Sequence, residues 1–279
     1  MRDFKSREKI KILRFLKVFH IFAPIMIKKH IPNCITLANL LCGTLSIYFL
    51  YVSDNALLPS IFIVLGAIFD FCDGLTARLL KVTSAIGKEL DSLSDVVTFG
   101  LAPSLIMVEV LKDSLLANHY SLLIANVLCL IPLFMVLMSS YRLANFNVDE
   151  RQSVNFIGLP TPANALLWLS LPVLAYLSNQ KIHLWGIYQQ EIYSTLVDIL
   201  LNPWFIIVFS IIMGVMLVAP ISMFSFKFKN FKWQDNKVRF IFLVISILLI
   251  FLFNCFAIPF IVLMYIIISL ISNFTKNGI

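Results

Sequence analysis

Apolar runs of about twenty residues, the length that carries an α-helix across ~30 Å of hydrocarbon, recur along this chain and leave little room for another architecture. They fall near 34–53, 56–80, 87–111, 121–141, 160–178, 203–222, 239–254 and 257–273. With 60% of the 279 residues hydrophobic, one water-soluble core could not take up the apolar surface, and much of it must face lipid. The expected fold is an all-α integral membrane protein with about eight transmembrane helices. Residues 239–273 can also be read as one long bent helix, although Asn254 and Pro259 favour a turn between two spans.

Lys and Arg accumulate in cytoplasmic loops. With eight spans, all of the 22 Lys and Arg residues except Lys112 and Lys181 fall on one side. Both termini are therefore expected in the cytoplasm, in an inner (cytoplasmic) membrane, with the net charge of +7 held against the anionic leaflet. That placement accounts for the charge without a nucleic-acid partner.

Residues 1–31 are expected to form a cytoplasmic interfacial segment. Arg7, Lys11, Arg14 and Lys17 recur at helical spacing, opposite Ile12, Phe15, Leu16 and Phe19. The pattern suits either an amphipathic helix at the headgroup boundary or a basic topogenic tail. Pro24, Lys28 and Lys29, with no small-residue cleavage site, argue against a signal peptide. The five cysteines lack CxxC pairing and suggest neither a disulfide framework nor a zinc site. Residues 32–279 read as one multi-span domain with a catalytic core at about 32–178. Beyond 178 few polar residues occur, and packing, lipid contact or a dimer surface is expected there.

The second span ends in Asp70-Phe71-Cys72-Asp73-Gly74-Leu75-Thr76-Ala77-Arg78, and the third opens with Gly87-Lys88-Glu89-Leu90-Asp91-Ser92-Leu93-Ser94-Asp95. At ~100° per residue, Asp70, Asp73 and Ala77 share one stripe, and Gly87, Asp91 and Asp95 another. The short connection makes the two helices antiparallel neighbours and brings the acids together at one membrane face. Carboxylates inside a membrane are unfavourable by roughly 2.5–3.5 kcal/mol each, and Arg78 and Lys88 can neutralise only part of the charge. An oxygen-only set without His or Cys suits Mg²⁺ or Mn²⁺ better than Zn²⁺. Two such ions commonly serve phosphoryl-type transfer. Gly74, Ala77 and Gly87 clear bulk from the acidic faces, for a ligand or for close helix packing.

Asp70, Asp73, Gly74, Ala77, Arg78, Gly87, Asp91 and Asp95 reproduce without a gap the pattern D-x2-D-G-x2-A-R-x8-G-x3-D-x3-D, and in this the chain resembles the CDP-alcohol phosphatidyltransferase family. The resemblance implies that Asp70, Asp73 and Asp91 hold two metal ions. It implies that Asp95, a further candidate ligand, is the base that deprotonates the acceptor hydroxyl. It also implies that residues 73–78 and Gly87 line the CDP site, and that the protein is a homodimer in membrane lipid.

Three more stretches, residues 91–103, 142–147 and 156–165, are similar to the branch of that family that joins CDP-diacylglycerol to L-serine. Asn145 departs from it, since a basic residue is expected there. Arg142 suits a serine carboxylate, because a planar guanidinium pairs with it in bidentate fashion, or else anchors the fourth span at the interface. Asn33 either caps the first span or, with Thr36, lies near the nucleotide as the family resemblance implies. Asn164 either faces the site or bonds to a neighbouring helix. Glycerol 3-phosphate or inositol as acceptor, and a cation transporter, are the competing readings.

Overall fold

The computed structural model describes residue 28 and residues 30–53, 55–82, 84–149, 156–181, 190–223 and 233–276. The expected interfacial helix lies almost wholly outside them. The described chain is an all-α, multi-pass membrane protein apart from two short strands. In order the helices are α1 (His30–Val52), α2 (Leu57–Leu80), α3 (Ala85–Asp95), α4 (Ala102–Ala117), α5 (Leu122–Leu128) and α6 (Phe134–Val148). They are followed by α7 (Thr161–Asn179), α8 (Gln190–Leu200), α9 (Pro203–Val218), α10 (Trp233–Phe253) and α11 (Ala257–Lys276).

Local sequence sets the boundaries. Asn55 Oδ1 accepts from the Leu57 N–H at 3.0 Å and opens α2. Lys81 closes it in the left-handed region at φ 53°, its N–H donating to the Arg78 carbonyl. Ser84 then caps α3, its Oγ accepting from Gly87 N at 3.2 Å. The reversal is the expected antiparallel connection.

The third span continues through α3 and α4 as one 33-residue helical segment. A wide π-helical turn at Val96–Leu101 joins its halves. The next span is broken where Pro132, in the 3₁₀ turn Ile131–Leu133, separates α5 from α6. Helix α6 reaches Val148, past the end of the span expected at 121–141.

Among the described residues five helical segments are long and apolar enough to cross a membrane, or six if α8 and α9, which meet at 66°, are one broken span. The stretch from Asn236 to Asn273 is one of the five, but it doubles back. Asn254 adopts φ 48°, and the rings of Phe242 and Tyr265, on either side of it, lie 6.1 Å apart. The turn expected at Asn254 is present, and α10 and α11 form a helical hairpin. Helix α7 begins at the Pro160-Thr161-Pro162 segment, as expected, and occupies the interior, with Trp168, Leu167 and Leu171 buried.

Glycine permits the closest helix approach in the acidic half. A Cβ on Gly66 of α2 would sit 2.5 Å from Thr98 Cγ2, and one on Gly43 of α1 would sit 2.5 Å from Thr98 Oγ1. Gly74, four residues from Asp70 on α2, has nothing within 4 Å. Gly66→Val is expected to destabilise the bundle by about 1–3 kcal/mol through overpacking. Gly74→Ala should leave the melting temperature in detergent unchanged. Equal melting temperatures for both variants would show that the α1–α2–α3 junction is not tightly packed.

Two-residue strands β1 (Phe156–Ile157) and β2 (Ser222–Met223) pair antiparallel at the acidic end of the bundle, with Phe156 opposite Met223 and Ile157 opposite Ser222.

Candidate active site

Helix α1 runs parallel to α3 and fixes it by hydrogen bonds. Ser94 Oγ donates to Thr36 O at 3.3 Å, and Thr98 Oγ1 to Asn39 O at 3.0 Å. On its other side α3 runs antiparallel to α6. Asn147 Nδ2 donates to Ser92 Oγ at 2.9 Å, and Lys88 Nζ to the Asn147 carbonyl at 2.7 Å. Eight residues further along, the Gly100 backbone approaches Ser139 so closely that a Cβ there would lie 3.3 Å from Ser139 Cβ. These pairings set the register of α3 and α6 and place Arg142 alongside the turn that bears Asp95.

Asp70, Asp91 and Asp95 come together as expected, each offering one oxygen within 4.8 Å of the others. Asp73 is buried on α2 with Oδ2 unpartnered, and Asp91 Oδ1 is likewise buried without a partner. Buried oxygens of this kind are unfavourable unless something donates to or coordinates them. Opposite ligands of a Mg²⁺ ion at ~2.1 Å lie about 4.2 Å apart, so small side-chain rotations would bring the three oxygens onto one ion. The donor set fits a hard divalent cation.

Next to the acids lies a cavity of about 480 Å³. Asn33, Thr36, Asp73, Gly74, Ala77 and Gly87, all singled out from the sequence, line it, and Asp91 belongs both to this lining and to the three-acid cluster. Gly74 leaves space. Gly87 does something different, because a Cβ there would meet Asn33 Oδ1 at 2.8 Å. Asn33 does not cap the first span, since α1 has already begun at His30; its amide faces Gly87 and the cavity. Arg78 is exposed, and its Nε donates to the Gly74 carbonyl at 2.9 Å rather than lining the cavity.

Asn39 is a site residue that sequence reasoning did not pick out. Fully buried in α1, it donates from Nδ2 to Asp95 Oδ1 at 3.2 Å and so fixes that carboxylate. Its spacing of three from Thr36 was the available signal, because the two polar residues share one helix face. Asn164 resolves the other way. It accepts from Trp168 Nε1 at 3.1 Å and its amide faces Met135 Sδ of α6 at 3.9 Å, so it serves packing between helices.

Arg142 is only 7% exposed and its Nε has no partner. It lies within electrostatic reach of Asp95 and of Tyr265 on α11. It lines a second cavity, separate in its lining residues from the first, together with Asn145.

The arrangement matches known proteins. The profile of the CDP-alcohol phosphatidyltransferase family matches residues 29–193. A Helicobacter pylori (strain ATCC 700392 / 26695) protein named CDP-diacylglycerol–serine O-phosphatidyltransferase is 31% identical over 224 residues, covering 79% of this chain and 81% of the relative. A Bacillus subtilis (strain 168) protein of the same name is 38% identical over 133 residues, 48% of this chain and 70% of the relative. An archaetidylserine synthase of Methanothermobacter thermautotrophicus is 31% identical over 151 residues, 53% of this chain and 60% of the relative.

Proposed function

The chain belongs to the CDP-alcohol phosphatidyltransferase family, and from that premise we propose that it transfers the phosphatidyl group of CDP-diacylglycerol to the hydroxyl of L-serine, giving phosphatidylserine and CMP. The observation that carries this reading is the convergence of Asp70, Asp91 and Asp95 within 4.8 Å beside a cavity lined by Asp73, Gly74, Ala77 and Gly87.

Asp70, Asp73, Asp91 and Asp95 are the residues that would hold two divalent ions, Mg²⁺ or Mn²⁺. When bound, the ions supply positive charge to the pyrophosphate and to the departing CMP. The chain's own groups do the rest. Asn33, Thr36, Gly74, Ala77 and Gly87 leave room for the cytidine and phosphates, with Arg78 one turn beyond. Asp95, oriented by Asn39, takes the serine hydroxyl proton as that oxygen attacks phosphorus. The bond from phosphorus to the CMP oxygen breaks as the new one forms, and no covalent enzyme intermediate is needed. Arg142 would pair with the serine carboxylate, a partner that inositol hydroxyls would not require.

Eight spans with both termini and the site on the cytoplasmic side complete the reading. The α10–α11 hairpin and the one-sided Lys and Arg distribution support it. A homodimer is carried over from the family resemblance. A transporter fits less well, because the acids gather at one end of the bundle instead of spacing along a path.

The deciding assay is CMP release by purified protein supplied with CDP-diacylglycerol and either L-serine, glycerol 3-phosphate or inositol. Release is expected with serine alone. Arg142→Lys should then raise KM for serine roughly tenfold through loss of the bidentate pairing. Release with another acceptor would keep the chemistry and discard serine; no release with any of them would discard both.

A further inference from the structure

The second cavity, about 540 Å³, is built from two parts of the chain. Arg142, Asn145 and Asp149 line it from α6 and its end, Ile157 from β1, and Val218 and Pro220 from the far side. The family match ends at residue 193, so that far wall comes from the region beyond it.

A set of specific bonds holds the wall in place. Residues 219–223 form a strap that pairs with β1 and is tied by Gly158 N donating to Ile221 O at 2.9 Å. Leu159 N donates to Met216 O at 3.0 Å. Gly158 sits at φ 80°, and a Cβ there would collide with the Leu217 carbonyl, so the segment that follows β1 presses on the end of α9 with no space for a side chain. From α11, Asn273 Nδ2 donates to Ser222 O at 2.6 Å and to Ser269 O at 2.8 Å. Asn273 thereby couples the C-terminal hairpin to the strap.

The lining of this cavity names the class of ligand. Among its described lining residues Arg142 is the only cation and Asp149 the only anion. A polyol would leave Arg142 without a counter-charge, whereas the carboxylate of an amino acid supplies one. Arg142, buried with an unpartnered Nε, calls for an anionic group. Its register beside Asp95 puts such a group next to the base.

We propose that this cavity is the chamber through which the amino-acid acceptor reaches Asp95, that the strap 219–223 is its specificity-determining wall, and that Asn273 is the positioning residue that holds the wall. The inference rests on the serine reading above and extends it to residues the family profile does not cover. Lipid-linked donor and water-borne acceptor would then use separate cavities with the acids between them.

The test uses the full chain, purified, with CDP-diacylglycerol and Mn²⁺, measuring CMP release against L-serine concentration. Asn273→Leu should raise KM for serine about fivefold or more, while KM for CDP-diacylglycerol and kcat change less than about twofold. Asn273→Gln, which keeps the amide donors, should recover most of the loss. Val218→Phe, which narrows the chamber without touching the latch, should raise the serine KM in the same selective way and decides the matter if Asn273→Leu does not fold. A selective serine effect supports the wall. Unchanged constants in folded variants, or both KM values rising together, would overturn it. Wild-type protein that uses another acceptor sinks the serine reading instead, and the wall is then judged by whether the same variants shift KM for that acceptor.

Discussion

Asp95→Asn is expected to lower kcat for serine-dependent CMP release by about a thousandfold, within the range general-base removal gives and equivalent to about 4 kcal/mol of barrier. The substitution is nearly isosteric. The Asn39 amide that donates to Asp95 Oδ1 at 3.2 Å can donate equally to the carboxamide oxygen of the variant, so the junction of α1 and α3 keeps its geometry. What disappears is the negative charge and the capacity to take a proton. Affinity for CDP-diacylglycerol should fall far less than kcat, since the nucleotide cavity is lined by other residues and Asp70, Asp73 and Asp91 remain to hold the ions. Kinetics with saturating serine and a binding measurement for the donor lipid separate the two effects. Activity within tenfold of wild type would sink Asp95 as base, and Asp91, one turn earlier on the same face, would be the next to examine.

Chelation is the second large effect. Protein stripped with EDTA should release no CMP with any acceptor, and added Mn²⁺ or Mg²⁺ should restore release. Asp70, Asp73, Asp91 and Asp95 otherwise stand as a set of acids with unpartnered buried oxygens on Asp73 and Asp91, an arrangement that repels itself until cations enter. The readout therefore need not be activity. Metal at a hundredfold over its Kd stabilises a protein by ~2.7 kcal/mol, so Mn²⁺ should raise the melting temperature of wild type. The rise should shrink in Asp91→Asn, where one ligand is weakened. Full activity in thoroughly chelated protein would contradict the metal reading outright, while a melting temperature indifferent to Mn²⁺ in both proteins would leave the acids without a cation.

The acids were legible because helical phase makes them so: spacings of three and four put carboxylates on one face, and the short reversal at 81–84 sets the two faces together. The lining residues Gly74, Ala77 and Gly87 followed from the same register. Asn39 was not found, because its spacing of three from Thr36 was the one signal in an apolar run, and its partner lies 56 positions away. Asn33 was left between two readings for a local reason. An Asn before an apolar run is the usual sign of a cap, but α1 had already started at His30. Arg78 belongs to the recognised pattern, yet its long side chain bends back to Gly74 instead of entering the cavity. The hairpin turn at Asn254 was signalled by its own sequence. The strap and its tie to Asn273 were not, because a pairing between residues 156–157 and 222–223 is a property of the folded bundle.

The π-helical turn at Val96–Leu101 follows Asp95 directly. Such a turn holds one residue more than the α-helical ladder needs, and one residue is ~100° of rotation. Everything upstream of it, Asp91 and Asp95 included, is therefore out of phase with the buried stripe of Ile106, Met107 and Leu111 downstream. The insertion works as a gear between the half of the span that does chemistry and the half that packs. Deleting a single residue there would return the turn to ordinary α-helix with the carboxylates still facing Asp70, whereas straightening it with the extra residue kept would, with the packing half held, swing them by about a quarter turn.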